Sequence, residues 1–477
     1  MGQEIDQHHF KKQDFAQFQQ RLEQETQLLS EWFKNRTFAH DELTGGFELE
    51  AWLIDKDFRP APVNEEYLKA LDDPLAVPEL ARFNFEVNST PQVLHGNAFK
   101  RMEMELNQTW QRCTEVASKK NLGILMTGIL PTVRDSDLTL ENMSLMTRYK
   151  ALNEQVMRIR KGKPLKLDVN GREHLVTEHH DVMLESAATS FQLHLQVPLE
   201  RAVNAYNTSI ILSAPMVAVS ANSPYLFGRD LWDETRIPLF EQAVQAGGIA
   251  GAAFGPTRRV SFGMDFARSS LFECFSENLE HFPVLLPIRF ENPPEAMSHL
   301  MLHNGTIWRW NRPLIGFDKN GVPHVRIEHR VTPSGPSVID LIANAVFFFG
   351  LENFYNHSSR NSLAGKMSFA EARDNFYNAA RLGLDATFVW SGKKIPVLTL
   401  LREELLPNAR TGLQALEIAA DDIDEYLGII EARVKKACNG AVWQRQYVEK
   451  YGRDMRALTE AYYEKQKTGQ PVHEWNV

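Results

Sequence analysis

The sequence predicts an α+β fold, with a mainly antiparallel sheet followed by a helical C-terminal third. Several apolar runs place polar residues two positions apart, which is the period of a strand with two different faces. From about Pro336 onward the chain has few glycines or prolines and repeats apolar residues at helical spacing. We therefore expect an N-terminal helical segment over 1–40, a sheet region over 41–345 and a helical region packed on it over 346–477.

The individual elements follow from the same patterns, taken in chain order. Apolar residues such as Phe18, Leu22 and Leu29 recur at helical spacing, which predicts a helix over 14–34. Asn222, Ser223 and Pro224 break a later helix. The other predictions are strands over 47–54 and 83–88, a helix over 97–118, a buried strand over 122–130, a helix over 144–161, a polar loop over 161–174, a strand over 187–197, a helix over 199–219, and strands over 260–264, 284–289 and 325–331.

The bulk composition is that of an ordinary globular protein. The chain has 477 residues, of which 43% are hydrophobic, so a core of useful size can form. The formal net charge of −9 argues against a dedicated nucleic-acid-binding protein, which normally shows a basic face. It leaves room for a local basic pocket around a phosphorylated ligand.

Cysteine spacing and the N-terminal sequence predict a cytoplasmic protein that is not held in a membrane. No CxxC pair exists, which argues against a zinc knuckle or a thioredoxin-type motif and favours reduced thiols. The N-terminus lacks an apolar signal core, and Asp6 breaks the myristoylation pattern. The most apolar run, 341–351, is too short to span a bilayer. The cysteines are Cys113, Cys274 and Cys438.

Four predicted strands carry groups of polar side chains that share one face. Their polar residues are mainly Glu, Gln, His, Asn and Arg, rather than the mixture of Lys, Thr, Ser and Glu usual on a solvated face. An antiparallel sheet with one solvated face would give alternation in any single strand. The four together favour a common site, made of Glu48 and Glu50; Glu86 and Asn88; Gln192, His194 and Gln196; and Arg326, Glu328 and Arg330.

A divalent cation would resolve the charge conflict in such a site. Carboxylates that converge on one surface repel each other and raise one another's pKa values. Oxygen-rich sites with a single histidine suit Mg²⁺ or Mn²⁺ better than zinc. Arg330, two residues after Glu328, offers a guanidinium fork of the kind that binds a phosphate oxygen.

Nucleotide would have to be held by metals and arginines, since no Walker A, kinase or Rossmann glycine motif occurs in the sequence. Zinc hydrolysis is disfavoured because His179 and His180 lack the HExxH spacing. The candidate basic partners of a nucleotide are Arg258, Arg259, Arg309 and Arg312.

The sequence resembles the glutamate–cysteine ligase family, including its carboxylate–amine ligase branch, within the glutamine-synthetase-like superfamily. The resemblance covers about residues 44–345. It rests on the joint order of the strings GGFELEAWL, FEVNSTP, SFQLHLQV, LSAPMVAVSANSPYLFGRDLWDETR, IWRWNRPLIGF and VRIEHRVTPSGPSVID.

This resemblance implies an antiparallel sheet that forms an active-site funnel, with metals and ATP phosphates at one end and the amino acid at the other. By resemblance, Glu48, Glu50, Glu86 and Glu328 bind metal, Arg330 contacts the γ-phosphate and Arg236 receives a substrate carboxylate, with Asn88 beside the substrate. Many members of the family have His where this chain has Gln192, so either Gln192 or His194 is the expected metal ligand on that strand.

The implied activity is ATP- and Mg²⁺-dependent joining of a carboxylate, expected to be the γ-carboxylate of glutamate, to an amine such as cysteine through an acyl-phosphate. The expected partners are therefore small molecules. Two alternatives stay open: a related ligase or kinase with another acceptor, and a protein of the same fold that binds nucleotide and metal without turnover. The sequence leaves the acceptor amine and the oligomeric state undetermined.

Overall fold

A computed structural model describes residues 8–39, 42–246, 258–357 and 362–477. Its strands in chain order are β1 (Thr44–Ile54), β2 (Ala76–Pro78), β3 (Asn84–Asn88), β4 (Gln92–Val93), β5 (Gly123–Leu125), β6 (Leu165–Asn170), β7 (His174–His179), β8 (Phe191–Gln196), β9 (Tyr225–Leu226), β10 (Arg229–Asp230), β11 (Val260–Ser261), β12 (Trp308–Arg309), β13 (Asn311–Phe317), β14 (Pro323–His329), β15 (Thr387–Trp390) and β16 (Lys393–Pro396).

The helices alternate with these strands at first and then dominate the chain. They are α1 (Lys12–Asn35), α2 (Asn64–Leu71), α3 (Ala98–Lys119), α4 (Thr147–Ile159), α5 (Leu199–Ser220), α6 (Arg236–Ala243), α7 (Phe272–His281), α8 (Ser298–Gly305), α9 (Val338–His357), α10 (Phe369–Leu382), α11 (Val397–Leu400), α12 (Leu406–Ala415), α13 (Ala420–Lys436), α14 (Gly440–Tyr451) and α15 (Met455–Lys467).

One curled antiparallel sheet organises the molecule, in the order β13-β14-β8-β1-β3-β2. The long strand β1 lies near its middle and pairs also with the short strands β4 and β5. Along β1, Leu49, Ala51 and Leu53 are fully buried and alternate with Glu48 and Glu50. The sheet therefore has an apolar face and a polar face, as the alternation predicts.

The apolar face packs on two long helices, α5 and α9, which contact each other and the strands β8 and β14. Phe348 of α9 stacks on His329 at the end of β14, with ring centroids 4.2 Å apart. These two helices bury nearly every side chain along their length because protein surrounds them on several sides.

Buried polar groups hold the C-terminal helices against this core. Arg433 of α13 pairs with Asp340 of α9 at 2.7 Å and donates to Asn344 at 2.7 Å. Asn222, in the loop after α5, receives a hydrogen bond from Gln444 of α14 and donates to the Tyr462 hydroxyl of α15. The C-terminal helices thus stabilise the loop that precedes α6.

The structure confirms the fold class and most of the predicted helices and strands. Strand pairing stops at Leu125 in the predicted strand 122–130, and 284–289 forms no strand, although both runs are largely buried. The predicted loop 161–174 is wrong in part, because Leu165, Leu167 and Val169 alternate in burial along β6 of a hairpin. The boundary proposed at 345/346 falls inside α9, and the division into three regions stays a prediction.

Two helices, Leu199–Ser220 and Val338–Asn356, are long and apolar enough to cross a membrane by length and composition alone. In both, 89% of the most apolar window is buried inside the protein, which is the usual condition of a core helix. The prediction that the chain does not enter a membrane rests on the sequence argument.

Candidate functional site

The register of the sheet brings the predicted polar residues of β1 and β3 together. Glu48 pairs with Asn88, and Glu50 pairs with Glu86. Asn88 donates through Nδ2 to Glu86 Oε1 at 2.9 Å and to the Leu75 carbonyl at 3.3 Å. In this structure Asn88 therefore positions Glu86, and its predicted contact with substrate stays a prediction.

Strands β8 and β14 extend the same polar face on the other side of β1. Gln192 pairs with Glu48 across β1 and β8, and His194 pairs with Glu328 across β8 and β14. Arg312 of β13 in turn pairs with Glu328. One-residue slips would turn each of these side chains to the other face, so the register itself assembles the site.

Three carboxylates form what we call the tri-glutamate cluster, Glu50, Glu79 and Glu86, with ligand oxygens within 4.8 Å of one another. Glu79 comes from the turn between β2 and β3. Burial, together with the neighbouring carboxylates, raises the pKa of Glu86 well above its usual value. Burial and Glu79 raise the pKa of Glu50 to about 7, against the lowering effect of Arg330. Without a cation, the three carboxylates would therefore repel one another if all of them were ionised.

A second group, the histidine cluster, comprises Glu48, His194 and Glu328, again within 4.8 Å of one another. His194 Nε2 lies 3.3 Å from a Glu48 oxygen. Both nitrogens of the buried ring lack hydrogen-bond geometry with any group of the described residues. Although burial alone would raise it, the neighbouring His194 lowers the pKa of Glu48 to about 2.

Gln192 separates the two clusters and is bonded at both ends of its amide. Its Nε2 donates to Glu50 Oε1 at 2.8 Å, and its Oε1 accepts from Arg330 Nη1. Of the two predicted alternatives on β8, the geometry therefore favours His194 as the metal ligand and gives Gln192 the role of a bridge.

Two arginines converge on Glu328. Arg312 is bidentate, with Nε and Nη2 at 2.9 and 3.0 Å from the two carboxylate oxygens, and Arg330 Nη1 lies 3.0 Å from Oε2. Against the effect of burial, both arginines hold the pKa of Glu328 well below its usual value. Glu328 is therefore ionised, and Oε1 keeps the freer lone pair for a metal.

The donors of Arg330 are only partly used. Its Nη1 serves Gln192 and Glu328, whereas its buried Nε has no hydrogen-bond partner in the part of the chain that the structure describes. An unpaired buried guanidinium donor beside two carboxylate clusters is what a phosphate oxygen would satisfy. Arg312, in contrast, also donates through Nη1 to the Asn304 carbonyl. With its two bonds to Glu328, it therefore serves to position that carboxylate.

A small cavity of about 40 Å³ adjoins the tri-glutamate cluster. Its wall includes carboxylates and the rings of Phe240 and Trp310. Arg236 and Arg330 complete the charged lining. The carboxylates are those of Glu50, Glu79 and Glu185.

Arg236, predicted to receive a substrate carboxylate, lies at this cavity but is heavily engaged by the protein. Its Nε donates to Glu234 at 3.1 Å, and its two Nη atoms donate to the carbonyls of Arg330 and Val331. Its guanidinium also lies over the Trp310 ring, 5.4 Å from the centroid. The contacts show a structural role, and the contact with substrate stays a prediction.

The other candidate arginines also point toward protein groups. Arg259 donates to Thr306 and to the Pro283 carbonyl, and Arg309 donates to Asn278 and Glu277. Arg258 is half-exposed, with Nη1 4.0 Å from Glu241. Arg259 and Arg309 thus stabilise the segment around α7 and α8, and nucleotide binding by any of the three stays a prediction.

Sequence reasoning missed Glu79 and Glu185. Neither belongs to an alternating strand, because Glu79 lies in a turn and Glu185 in a short 3-10 helix over Met183–Ala187. The sequence did offer one signal for Glu79, because it lies seven residues before Glu86, which belongs to a predicted strand. For Glu185 the sequence offers no comparable pattern.

The residues present fit divalent cations. Two groups of three ligands with hard oxygens lie on one sheet face, one of them with an imidazole that lacks a hydrogen bond. Mg²⁺ and Mn²⁺ prefer such oxygen-rich sets. A cation would also remove the repulsion that keeps the tri-glutamate carboxyls from ionising together.

Comparison with known proteins identifies the family of the chain. A sequence model of the family described as glutamate-cysteine ligase family 2 matches residues 44–464. This confirms the family resemblance read from the strands, and it extends the match through most of the C-terminal helices. No curated protein matches the chain significantly in sequence.

A solved structure shows the same fold at low sequence identity. A glutamate–cysteine ligase from Francisella tularensis in complex with AMP aligns over 90% of both chains, with 11% identity and a TM-score of 0.56. A bifunctional glutathione synthetase from Pasteurella multocida aligns over 89% of this chain and 53% of its own, with 10% identity and a TM-score of 0.47. The latter, weaker likeness adds nothing to the assignment of the fold.

Proposed function

The chain belongs to glutamate–cysteine ligase family 2, and we propose that it is an ATP-dependent ligase that joins a carboxylate to an amine through an acyl-phosphate. Family membership supports the coarser statement, a carboxylate–amine ligase. The observation that carries the proposal is the arrangement of the two acidic clusters around Arg330 beside a cavity.

The tri-glutamate and histidine clusters would hold Mg²⁺ or Mn²⁺, which neutralises charge on the nucleotide phosphates when bound. In the first half of the reaction, an oxygen of the substrate carboxylate attacks the γ-phosphorus of ATP and ADP leaves. The Nε of Arg330, which has no partner among the described residues, would donate to an oxygen of the phosphoryl group as charge develops there. Arg312 and Gln192 keep Glu328 and Arg330 in place.

In the second half, the neutral amine nitrogen attacks the acyl carbon, the amide bond forms, and inorganic phosphate leaves together with the proton that the nitrogen loses. The acyl-phosphate must be shielded from water during this step. We expect this step to take place at the cavity beside Arg330. The expected acid is glutamate, reacting at its γ-carboxylate, and cysteine is one candidate amine.

The test is formation of ADP and product from Mg·ATP or Mn·ATP, a set of acids including glutamate, and a mixture of amines. A γ-glutamyl amide detected by mass supports the full proposal. Product from another acid alone keeps the ligase chemistry and overturns the substrate. Absence of ATP cleavage with every acid, from folded protein, overturns the ligase and leaves a protein that binds without turnover.

A matched pair of variants separates the site from the fold. Glu328→Gln should abolish metal-dependent turnover while the protein stays folded, because the amide loses the charge that binds metal and both arginines. Glu178→Gln, at an exposed carboxylate on β7, is the control and should keep full activity.

A further inference from the structure

A third group of possible metal ligands lies outside the site described above. Its members are His8, His9 and Glu154, and their ligand atoms lie within 4.8 Å of one another. We call this group the His-His-Glu triad. Both histidines lie just before α1, whereas Glu154 lies on α4. The proposed ligase reaction uses none of the three, so the triad needs an explanation of its own.

The side chains of the triad meet through the atoms that bind metals. His8 Nδ1 lies 3.0 and 3.1 Å from the two Glu154 oxygens, and His9 Nδ1 lies 3.2 Å from Oε2. In a tetrahedral zinc site with bonds of ~2.05 Å, neighbouring ligand atoms are roughly 3.3 Å apart. A cation could therefore bind between these atoms with only small movements of the side chains.

Two consecutive histidines reach the same point because the segment 8–11 is neither helix nor strand. In a strand their side chains would leave on opposite faces. Here the two rings lie with their centroids 3.9 Å apart. Phe10 packs edge-on against Phe15 of α1 at 6.3 Å, and the guanidinium of Arg158 of α4 lies 4.6 Å from the centre of the Phe15 ring. These contacts hold the segment against α4.

The negative charge of Glu154 has no permanent cation beside it. Arg158 lies one helical turn further along α4 and would be its usual partner, but its guanidinium lies over Phe15 instead. Among the described residues, Glu154 pairs only with the two imidazoles. An imidazole carries positive charge only when it is protonated, and two protonated rings at this separation would repel each other. A divalent cation would balance the carboxylate and accept a lone pair from each ring.

The donor set indicates the class of metal. Two imidazole nitrogens and one carboxylate oxygen suit Zn²⁺, Co²⁺ or Ni²⁺, whereas Mg²⁺ prefers oxygen ligands. Three protein ligands leave a fourth position for water. The side chains of His8, His9 and Glu154 are 24%, 82% and 30% exposed, so a metal ion can enter from solvent.

We propose that the His-His-Glu triad is a site for a divalent transition-metal ion such as Zn²⁺, which fastens the segment before α1 to α4. The site is independent of the proposed ligase function. Tyr149, in the first turn of α4, donates to the carbonyl of Pro78, the residue before Glu79. The metal would therefore attach the segment to a helix that itself contacts the neighbourhood of the tri-glutamate cluster.

The first experiment measures Zn²⁺ binding by calorimetry, with full-length protein that carries no histidine tag and with Mg²⁺ in excess. Zn²⁺ could also enter the histidine cluster, so both the unaltered protein and His194→Ala are titrated. In His194→Ala we expect one Zn²⁺ per chain. Adding His8→Ala or Glu154→Gln should weaken that binding about tenfold or more, because a ligand is lost.

The matched control is His174→Ala. His174 is also an exposed histidine bonded to a carboxylate, that of Asp168 at 2.9 Å, but it belongs to no group of three ligands within the described ranges. This substitution should leave the Zn²⁺ affinity of the His194→Ala protein unchanged. An affinity that is insensitive to both His8→Ala and Glu154→Gln overturns the site. So does a loss of equal size in the control.

The second experiment tests whether the metal fastens the segment. Trypsin cleaves after lysine, and the exposed Lys11 and Lys12 follow the two histidines directly. Saturating Zn²⁺ should slow cleavage there in His194→Ala and in the control, and it should not do so once Glu154→Gln is added. Zn²⁺ binding that depends on the triad but leaves the cleavage rate unchanged keeps the metal site and refutes its fastening role. Circular dichroism of each variant excludes loss of folding as the cause.

Discussion

The tri-glutamate cluster makes a prediction in which a single substitution changes stability in opposite directions with and without metal. Two unit charges 4.8 Å apart, the outer spacing of the ligand oxygens, repel by about 3.5 kcal/mol at an effective dielectric constant of ~20. Glu86 is the most deeply buried of the three carboxylates, and Asn88 donates to it. Gln at this position keeps an oxygen to accept that bond and removes the charge.

Without divalent cations, Glu86→Gln should therefore be more stable than the unaltered protein. We expect a gain of about 2 kcal/mol, less than the full Coulomb value, because partial protonation already relieves some of the repulsion. With Mg²⁺ or Mn²⁺ at 100 times its dissociation constant, the unaltered protein should gain about 2.7 kcal/mol by binding. The variant should gain much less, since one of the three ligands has lost its charge.

Thermal unfolding followed by calorimetry, in EDTA and across a metal titration, measures both effects. Glu178→Gln provides the control and should follow the unaltered protein throughout. A variant that is less stable in EDTA would show that the carboxylates are not in electrostatic conflict. A variant that keeps the full metal-induced increase would remove Glu86 from the metal site.

Three further predictions test other parts of the structure. Arg433→Met leaves Asp340 buried without its partner and should cost about 3–5 kcal/mol in urea unfolding, most of it recovered with Asp340→Asn; an unchanged midpoint would contradict this. Burial lowers the pKa of His303 from 6.5 to about 4, with Arg259 and Arg309 nearby adding to the effect, so stability should fall below pH 6.5 by about 1.4 kcal/mol per unit down to about pH 4. His303→Gln should reduce the slope by that amount, while His329, whose pKa burial lowers to about 3, keeps its own contribution; an unchanged slope would exclude His303. Arg330→Lys should lower kcat about 10²-fold with a smaller effect on ATP binding, and an unchanged kcat would exclude Arg330 from the mechanism.

The sequence was sufficient to predict which side chains share one face of the sheet wherever they lie on long strands. Period-two patterns in β1, β3, β8 and β14 placed Glu48, Glu50, Glu86 and Glu328 on one face, and the register aligned them. Strand periodicity constrains the direction of a side chain, so these positions are predictable from local sequence.

Residues outside the long strands were not predictable in the same way. Glu79 and Glu185 reach the site through a turn and a 3-10 helix, whose orientation depends on tertiary packing. The protein contacts of the arginines were not predictable for a related reason. Nothing in the local sequence distinguishes Arg330 from Arg259. Arg330 keeps a donor with no partner in the described part of the chain, whereas the Nη donors of Arg259 are bonded to protein groups.

Gln192 shows how a departure from the family pattern can still serve the site. Its amide donates to Glu50 of one cluster and accepts from Arg330 beside the other. An amide keeps one donor end and one acceptor end at every pH, whereas a histidine that gains a proton loses its acceptor. Nearby carboxylates would favour protonation of a histidine at this position. The Gln192 amide does not take up a proton, so its two hydrogen bonds persist at every pH. His194, two residues along the same strand face, remains available to bind a cation. A single histidine would have to link the clusters and bind the cation. In β8 the first role falls to Gln192 and the second to His194.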